Sequence, residues 1–138
     1  MTTGTVVYVI KGAHVLLARL KTGIGSGQWN GLGGNIEIGE NATMAAVRNV
    51  KVLTGVTLAL NDPASEILYH DSARNNWKVT IWRADDFQGE IAGAGQTQLQ
   101  WWPVDDLPFK EMEPGDGEWL PLLIEGKAFS AEIWFNDK

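Results

Sequence analysis

The chain has 138 residues, a formal net charge of −6 and no cysteine. A chain of this length forms one domain, here residues 1–138, that can bury a core without disulfides. The negative charge argues against binding to nucleic-acid polymers, which requires a basic surface, and the lack of cysteine excludes thiolate metal sites and cysteine nucleophiles. The N-terminus lacks the long apolar run of a signal peptide, so we expect a cytoplasmic protein without a membrane partner.

The N-terminal third predicts a hairpin followed by a glycine-rich loop. Residues 5–10 and 14–20 are aliphatic runs separated by a turn at Gly12, which is typical of a β-hairpin. Residues 21–34 read KTGIGSGQWNGLGG and show too little periodicity for a regular element. A flexible connector does not need the aromatic and amide side chains in its middle, so the composition favours a binding loop.

A helix is predicted over residues 42–54. Asn41 can accept hydrogen bonds from the first N–H groups, and Gly55 can adopt the left-handed conformation that ends a helix.

The second half of the chain predicts further strands and a last helix. Strands are predicted at 66–70, 77–83, 99–104 and 129–135, and a helix at 118–125. In the hairpin of the first two strands, alternation suggests that Leu68 and His70 share one covered face with Trp77, Val79 and Ile81. The fold class is therefore α/β, with a mixed β-sheet between helices.

The stretch from Gly33 to Val56, GGNIEIGENATMAAVRNVKVLTGV, resembles the Nudix box. The pattern of that family is G-x5-E-x7-R-E-U-x-E-E-x-G-U, where U is a bulky aliphatic residue. Six positions keep this frame: Gly34, Glu40, Arg48, Val50, Gly55 and Val56. The resemblance implies the Nudix α/β/α sandwich, with a mixed sheet between helices.

The three helix acids of the box are replaced, so the box is degenerate. Where the family has three helix glutamates, this chain has Asn49, Val52 and Leu53. In the family these acids support attack of water on a phosphoanhydride with a divalent metal, and magnesium needs hard oxygen ligands that aliphatic side chains cannot supply. A further family glutamate falls at about Gln96. We therefore expect no metal site.

Two acids of the box loop are the residual catalytic candidates, Glu37 and Glu40. In the family, the glutamate that matches Glu40 largely holds the loop together with the arginine that matches Arg48. A structural role for Glu40 is therefore the alternative to a catalytic one.

The resemblance is closest to the MutT-like oxidised-purine nucleoside triphosphate diphosphatases, in which a loop similar to GSGQWNGLGG leads into the box. There the asparagine matching Asn30 bonds the purine, and a tryptophan and two aspartates complete the pocket. Those three fall on Glu113, Gly115 and Asp116 here, so only the last is retained. The candidate ligand-binding residues are Ile24, Trp29, Asn30 and Asp116, and we expect the last three to line one cleft.

Three functions remain open. The first is a module that binds a purine nucleotide or another planar small molecule with little or no pyrophosphohydrolase activity. The second is an active hydrolase that cleaves 8-oxo-dGTP-like triphosphates to monophosphate and pyrophosphate. The third is a protein-interaction module with an apolar cleft floor formed by Val52 and Leu53. No cofactor is expected, apart from magnesium if hydrolysis remains, and the sequence does not predict the oligomeric state.

Overall fold

The computed structural model describes residues 2–20, 27–60, 62–71, 76–92, 97–112, 115–127 and 129–135. The strands are β1 (Thr2–Lys11), β2 (His14–Leu20), β3 (Trp29–Asn30), β4 (Leu32–Asn35), β5 (Thr57–Leu58), β6 (Ser65–Asp71), β7 (Trp77–Ala84), β8 (Phe87–Gln88), β9 (Thr97–Pro103) and β10 (Ala131–Phe135). The α-helices are α1 (Ala42–Thr54) and α2 (Asp116–Ile124), and a short 3-10 helix spans Phe109–Glu111.

β1 is the central strand of the main sheet. It pairs in parallel with β7 along one edge, and antiparallel with β4 and then β2 along the other. The strand order is β10-β6-β7-β1-β2-β3, with β9 added to β2. Because β10 also runs parallel to β6 while β7 runs antiparallel to it, the sheet is mixed, as predicted.

The two helices cover opposite faces of this sheet. Along β1, Val7 and Val9 lie in the cluster that contains Val50 of α1, whereas Tyr8 and Ile10 lie in the cluster that contains Leu120 of α2. A strand covered on both faces is apolar at successive positions, which explains the run VVYVI. The predicted α/β/α sandwich is confirmed. Neither α-helix within the described ranges is both long and apolar enough to cross a membrane.

Helix α1 has the predicted limits. The Asn41 side chain accepts a hydrogen bond from the Met44 N–H at 2.8 Å, and Gly55 ends the helix with a φ of 82°. Both signals are local in sequence, which is why they determine the helix ends without help from distant residues.

The glycine-rich segment is more regular than predicted. Within its described part, residues 27–34, β3 pairs with β2 and β4 pairs with β1. A Cβ atom at Gly33 would collide with the backbone oxygen of Thr5, so the glycine allows the two strands to approach closely. The pairing comes from neighbouring strands, and the sequence of the segment alone does not reveal it.

The predicted alignment of the β6–β7 hairpin was wrong by one residue. The register pairs Leu68 with Lys78 and Ile67 with Val79. Ile67 and Val79 therefore face α2, while Leu68 shares the opposite face with Lys78. Alternation within each strand was predicted correctly, but the relative phase of two strands depends on their connection, and a one-residue shift exchanges the faces.

Three other elements differ from the prediction in extent. The segment after β7, where no strand is predicted, contains β8, which pairs with β5. Helix α2 begins at Asp116, two residues earlier than predicted, directly after Gly115 with a φ of 98°. The last strand begins at Ala131 and therefore starts two residues later than predicted.

Candidate functional site

The loop between β4 and α1 is held by an ion pair. Nε and Nη2 of Arg48 donate to the two carboxylate oxygens of Glu40 at 2.8 and 2.9 Å, and Nη2 also donates to the Asn35 carbonyl at 3.0 Å. Glu40 in addition accepts from the Glu37 N–H at 3.0 Å. Both oxygens of Glu40 are therefore engaged within the loop, whereas the side chain of Glu37 is 67% exposed and 4.0 Å from Arg48.

This network lowers the pKa of Glu40, first because Arg48 donates to the carboxylate and second because the Glu37 N–H does. Folding thus favours the ionised form of Glu40. The pair therefore stabilises the fold at pH values above the ordinary carboxyl pKa, and this stability is lost as the pH falls through the lower pKa of the folded state.

In a carbon-13 NMR titration, Arg48→Met should raise the pKa of Glu40. The control Lys51→Met should not, and an unchanged pKa in Arg48→Met would contradict the assignment.

Asn49 ties α1 to the sheet. Its side chain is buried, and Nδ2 donates to Thr5 Oγ1 and to the Asn35 carbonyl, both at 3.2 Å. The amide also lies directly against Gly34, where an added Cβ would be 2.7 Å from Oδ1 of Asn49. The first of the replaced acid positions is therefore occupied by a buried, hydrogen-bonded amide that links α1, β1 and β4.

We expect Gly34→Ala to lower the free energy of unfolding by about 1–3 kcal/mol, because the new methyl group overlaps the anchored Asn49 amide. The control is Gly117→Ala in α2, where an added Cβ meets Phe109 at an ordinary 3.6 Å. Urea denaturation measures both variants. Truncation by Asn49→Ala should make Gly34→Ala less costly, and purely additive effects of the two changes would contradict the proposed contact.

The two aliphatic side chains that replace acids in α1 lie in different environments. Val52 is 63% exposed, while Leu53 is half-buried and lines a cleft. The prediction that both side chains form an apolar cleft floor is therefore wrong, because adjacent helix positions point about 100° apart.

The cleft lined by Leu53 has a volume of about 340 Å³ and lies between β1, β3–β4 and the start of β7. Its lining residues are neutral: Thr3, Gly4, Thr5, Val6, Ala18, Asn30, Gly31, Gly33, Gly34, Asn35, Leu53, Trp77 and Val79. The amide of Asn30 is oriented by a 3.3 Å hydrogen bond from its Nδ2 to the Gln28 carbonyl. An apolar cavity with a few polar groups is the usual form of a small-molecule site.

Trp29 does not line this cleft, so the expectation that Trp29, Asn30 and Asp116 line it together needs correction. Its ring is 3% exposed, packs edge-on against Trp102 with centroids 5.3 Å apart, and lies under the Arg19 guanidinium at 4.7 Å. Arg19 is fixed in turn by Gln98, whose Oε1 accepts from Nη2 at 2.7 Å. Trp29 is a core residue that anchors the chain next to Asn30.

Asp116 is likewise buried, at the first position of α2, and is not among the residues lining the cleft. It acts on Tyr8, whose pKa is raised well above its usual range by burial and then by the Asp116 charge. A hydrogen bond with the Gly31 backbone has the opposite effect on Tyr8. Asp116 is thus connected through Tyr8 to the chain segment that lines the cleft.

Two lining residues were predicted only as strand residues. Trp77 stacks on Tyr69 with centroids 4.9 Å apart, and it lines the cleft together with Val79. Their period-2 spacing indicated a shared face, but not that part of the face borders a cavity. Ile24 and Gln96 lie outside the described residues. Among the residues that the structure does describe, no three histidine, aspartate or glutamate side chains form a group suited to a metal ion.

The mixed sheet between two helices, with an arginine–glutamate pair bracing the loop into α1, defines the class as an α/β/α sandwich of the Nudix type. The family model for the NUDIX domain matches residues 1–123. The chain belongs to the Nudix family, which confirms the resemblance seen in the sequence.

Two curated relatives are named oxidized purine nucleoside triphosphate hydrolase. The protein from Danio rerio is 34% identical over 133 residues, which cover 96% of this chain and 85% of the relative. The protein from Mus musculus is 30% identical over 135 residues, which cover 97% and 86%. Among solved structures, a MutT protein from Bacillus halodurans has a TM-score of 0.75 at 19% identity, covering 99% of this chain and 91% of that one.

Proposed function

We propose that this Nudix domain binds a purine nucleotide or another planar small molecule in the neutral cleft, and hydrolyses nucleoside triphosphates slowly at most. The observation that carries the proposal is the Asn30 amide in a cavity with walls formed by Val6, Leu53 and Val79. A cytoplasmic location is part of the proposal.

The chemistry of the cleft supports a planar heterocyclic ligand. An asparagine side chain presents a donor and an acceptor next to each other, which complements a purine edge. Trp77 adds an aromatic surface to the lining, against which a flat ligand can pack. Specificity would then come from Asn30 and affinity from the apolar walls.

Slow hydrolysis follows from the donors available to magnesium among the described residues. Asn49 offers one neutral oxygen, since its Nδ2 donates to Thr5 and Asn35. Both carboxylate oxygens of Glu40 accept from Arg48. Glu37 adds one exposed carboxylate. The aliphatic side chains at positions 52 and 53 offer no oxygen. This donor set does not fit magnesium, which requires several hard oxygen ligands in near-octahedral geometry.

The second candidate is an active hydrolase, and the names of the relatives favour it more than they favour binding alone. Both relatives are called hydrolases, and their similarity extends over nearly all of this chain. In that case the protein would cleave an oxidised purine nucleoside triphosphate to the monophosphate and pyrophosphate with magnesium. The two candidates share the ligand cleft and differ in turnover, so pyrophosphate release distinguishes them.

Ligand binding is tested by calorimetric titration of the protein with guanine and adenine nucleosides and nucleotides, ordinary and 8-oxidised. At least one should bind, and Asn30→Ala should weaken that binding at least tenfold, because it leaves a polar edge of the ligand unpaired in the cleft. The control Thr43→Ala changes an exposed helix residue outside this cleft and should leave the affinity unchanged. Equal affinities of Asn30→Ala and the unmodified protein would contradict the proposal.

A further inference from the structure

The cleft presents no charged side chain among the described residues that line it. Its polar groups are the amides of Asn30 and Asn35, the hydroxyls of Thr3 and Thr5, and backbone atoms. Neutral donors and acceptors suit a heterocyclic base or a sugar hydroxyl. A polyphosphate is usually bound by cationic side chains or metal ions, since phosphate oxygens lose strong hydration on binding.

The cations that border this region in the described chain already have partners. Arg48 is paired with Glu40, and Arg19 lies over Trp29 and donates to Gln98. Lys78, which lies between the two β7 residues that line the cleft, is 3.5 Å from Glu66 on the other face of the sheet. Recruiting one of these cations for a phosphate would break an existing contact.

The size of the cleft and the net charge of the chain also disfavour a ligand with phosphate groups. A volume of about 340 Å³ is at the small end of the range for ligand pockets. The chain carries a formal net charge of −6, so an added phosphate group would enter a repulsive field. A base or nucleoside avoids that repulsion.

We infer that the cleft selects the uncharged part of its ligand, so that a purine nucleobase or nucleoside binds more tightly than the corresponding triphosphate. The inference rests on the proposed function, because it assumes that the ligand occupies this cleft. It narrows the ligand to a class, neutral purine heterocycles and their nucleosides.

Calorimetry with one purine as nucleoside, monophosphate, diphosphate and triphosphate, without divalent metal, tests the inference. Affinity should fall along this series, by about tenfold or more between the nucleoside and the triphosphate. Raising the salt concentration should improve triphosphate binding by screening the repulsion, and should change nucleoside binding much less.

A charge variant provides the matched comparison. Leu53→Lys adds one cation to the lining of the cleft. Relative to Leu53→Met, it should improve triphosphate binding at least fivefold and raise the ratio of triphosphate affinity to nucleoside affinity. A triphosphate that binds the unmodified protein as tightly as the nucleoside, or more tightly, would overturn the inference and leave the proposed function standing. If no member of the series bound, both would be overturned.

Discussion

The purified protein should release pyrophosphate from ordinary and oxidised nucleoside triphosphates far more slowly than about 1 per second, a common enzyme rate. The expectation applies with either magnesium or manganese. It follows from α1, where the Asn49 amide is already bonded and Leu53 lines the cleft with a hydrocarbon side chain. A protein that does not hold the metal neither activates the attacking water nor stabilises the developing charge.

Restoring acids should raise the turnover. The double variant Val52→Glu, Leu53→Glu adds two carboxylates while retaining the Asn49 bonds to Thr5 and Asn35. It should bind magnesium more tightly and hydrolyse triphosphates faster than Val52→Gln, Leu53→Gln, which has similar shape without charge. Calorimetry with magnesium and a pyrophosphate assay measure both effects. An unmodified protein that turns over any triphosphate at about 1 per second or faster would refute the slow-hydrolysis proposal and establish the hydrolase.

The parts of the fold that the sequence predicted correctly depend on neighbouring residues. Helix α1 was predicted to the residue because its cap at Asn41 and its stop at Gly55 act within one turn. The β1–β2 hairpin was likewise predicted from a local signal, the turn at Gly12, which has a φ of 61°. In contrast, β3 and β4 could not be predicted, because their hydrogen bonds go to strands that approach from elsewhere in the chain.

The candidate site shows the same limit. The box pattern identified positions 49, 52 and 53 as replaced acids. Only the packed structure distinguishes a buried Asn49, an exposed Val52 and a Leu53 that lines the cleft. For Trp29 the sequence predicted a ligand contact instead of the core position that the structure shows. The choice depends on Trp102, a residue distant in sequence that packs against the ring.

Replacing the core residue Trp29 should therefore lower stability more than replacing Trp77, the tryptophan that lines the cleft. Trp29→Ala removes a ring that is 3% exposed and leaves Trp102 and Arg19 without their packing partner. Large-to-small changes of this kind cost about 3–5 kcal/mol in the free energy of unfolding. Urea denaturation followed by circular dichroism measures the loss.

Trp77→Ala is the matched comparison. It should cost less stability than Trp29→Ala but should weaken ligand binding. Trp77 is half-buried, lines the cleft and stacks on the Tyr69 ring. Its removal should cost less stability than Trp29→Ala, because part of the Trp77 side chain already contacts solvent whereas Trp29 is buried. Ligand affinity should fall by about fivefold or more, because base–aromatic stacking contributes about 1–3 kcal/mol per base. If Trp77→Ala proved the more destabilising change and left ligand affinity intact, the assignment of Trp29 to the core and Trp77 to the ligand cleft would be wrong.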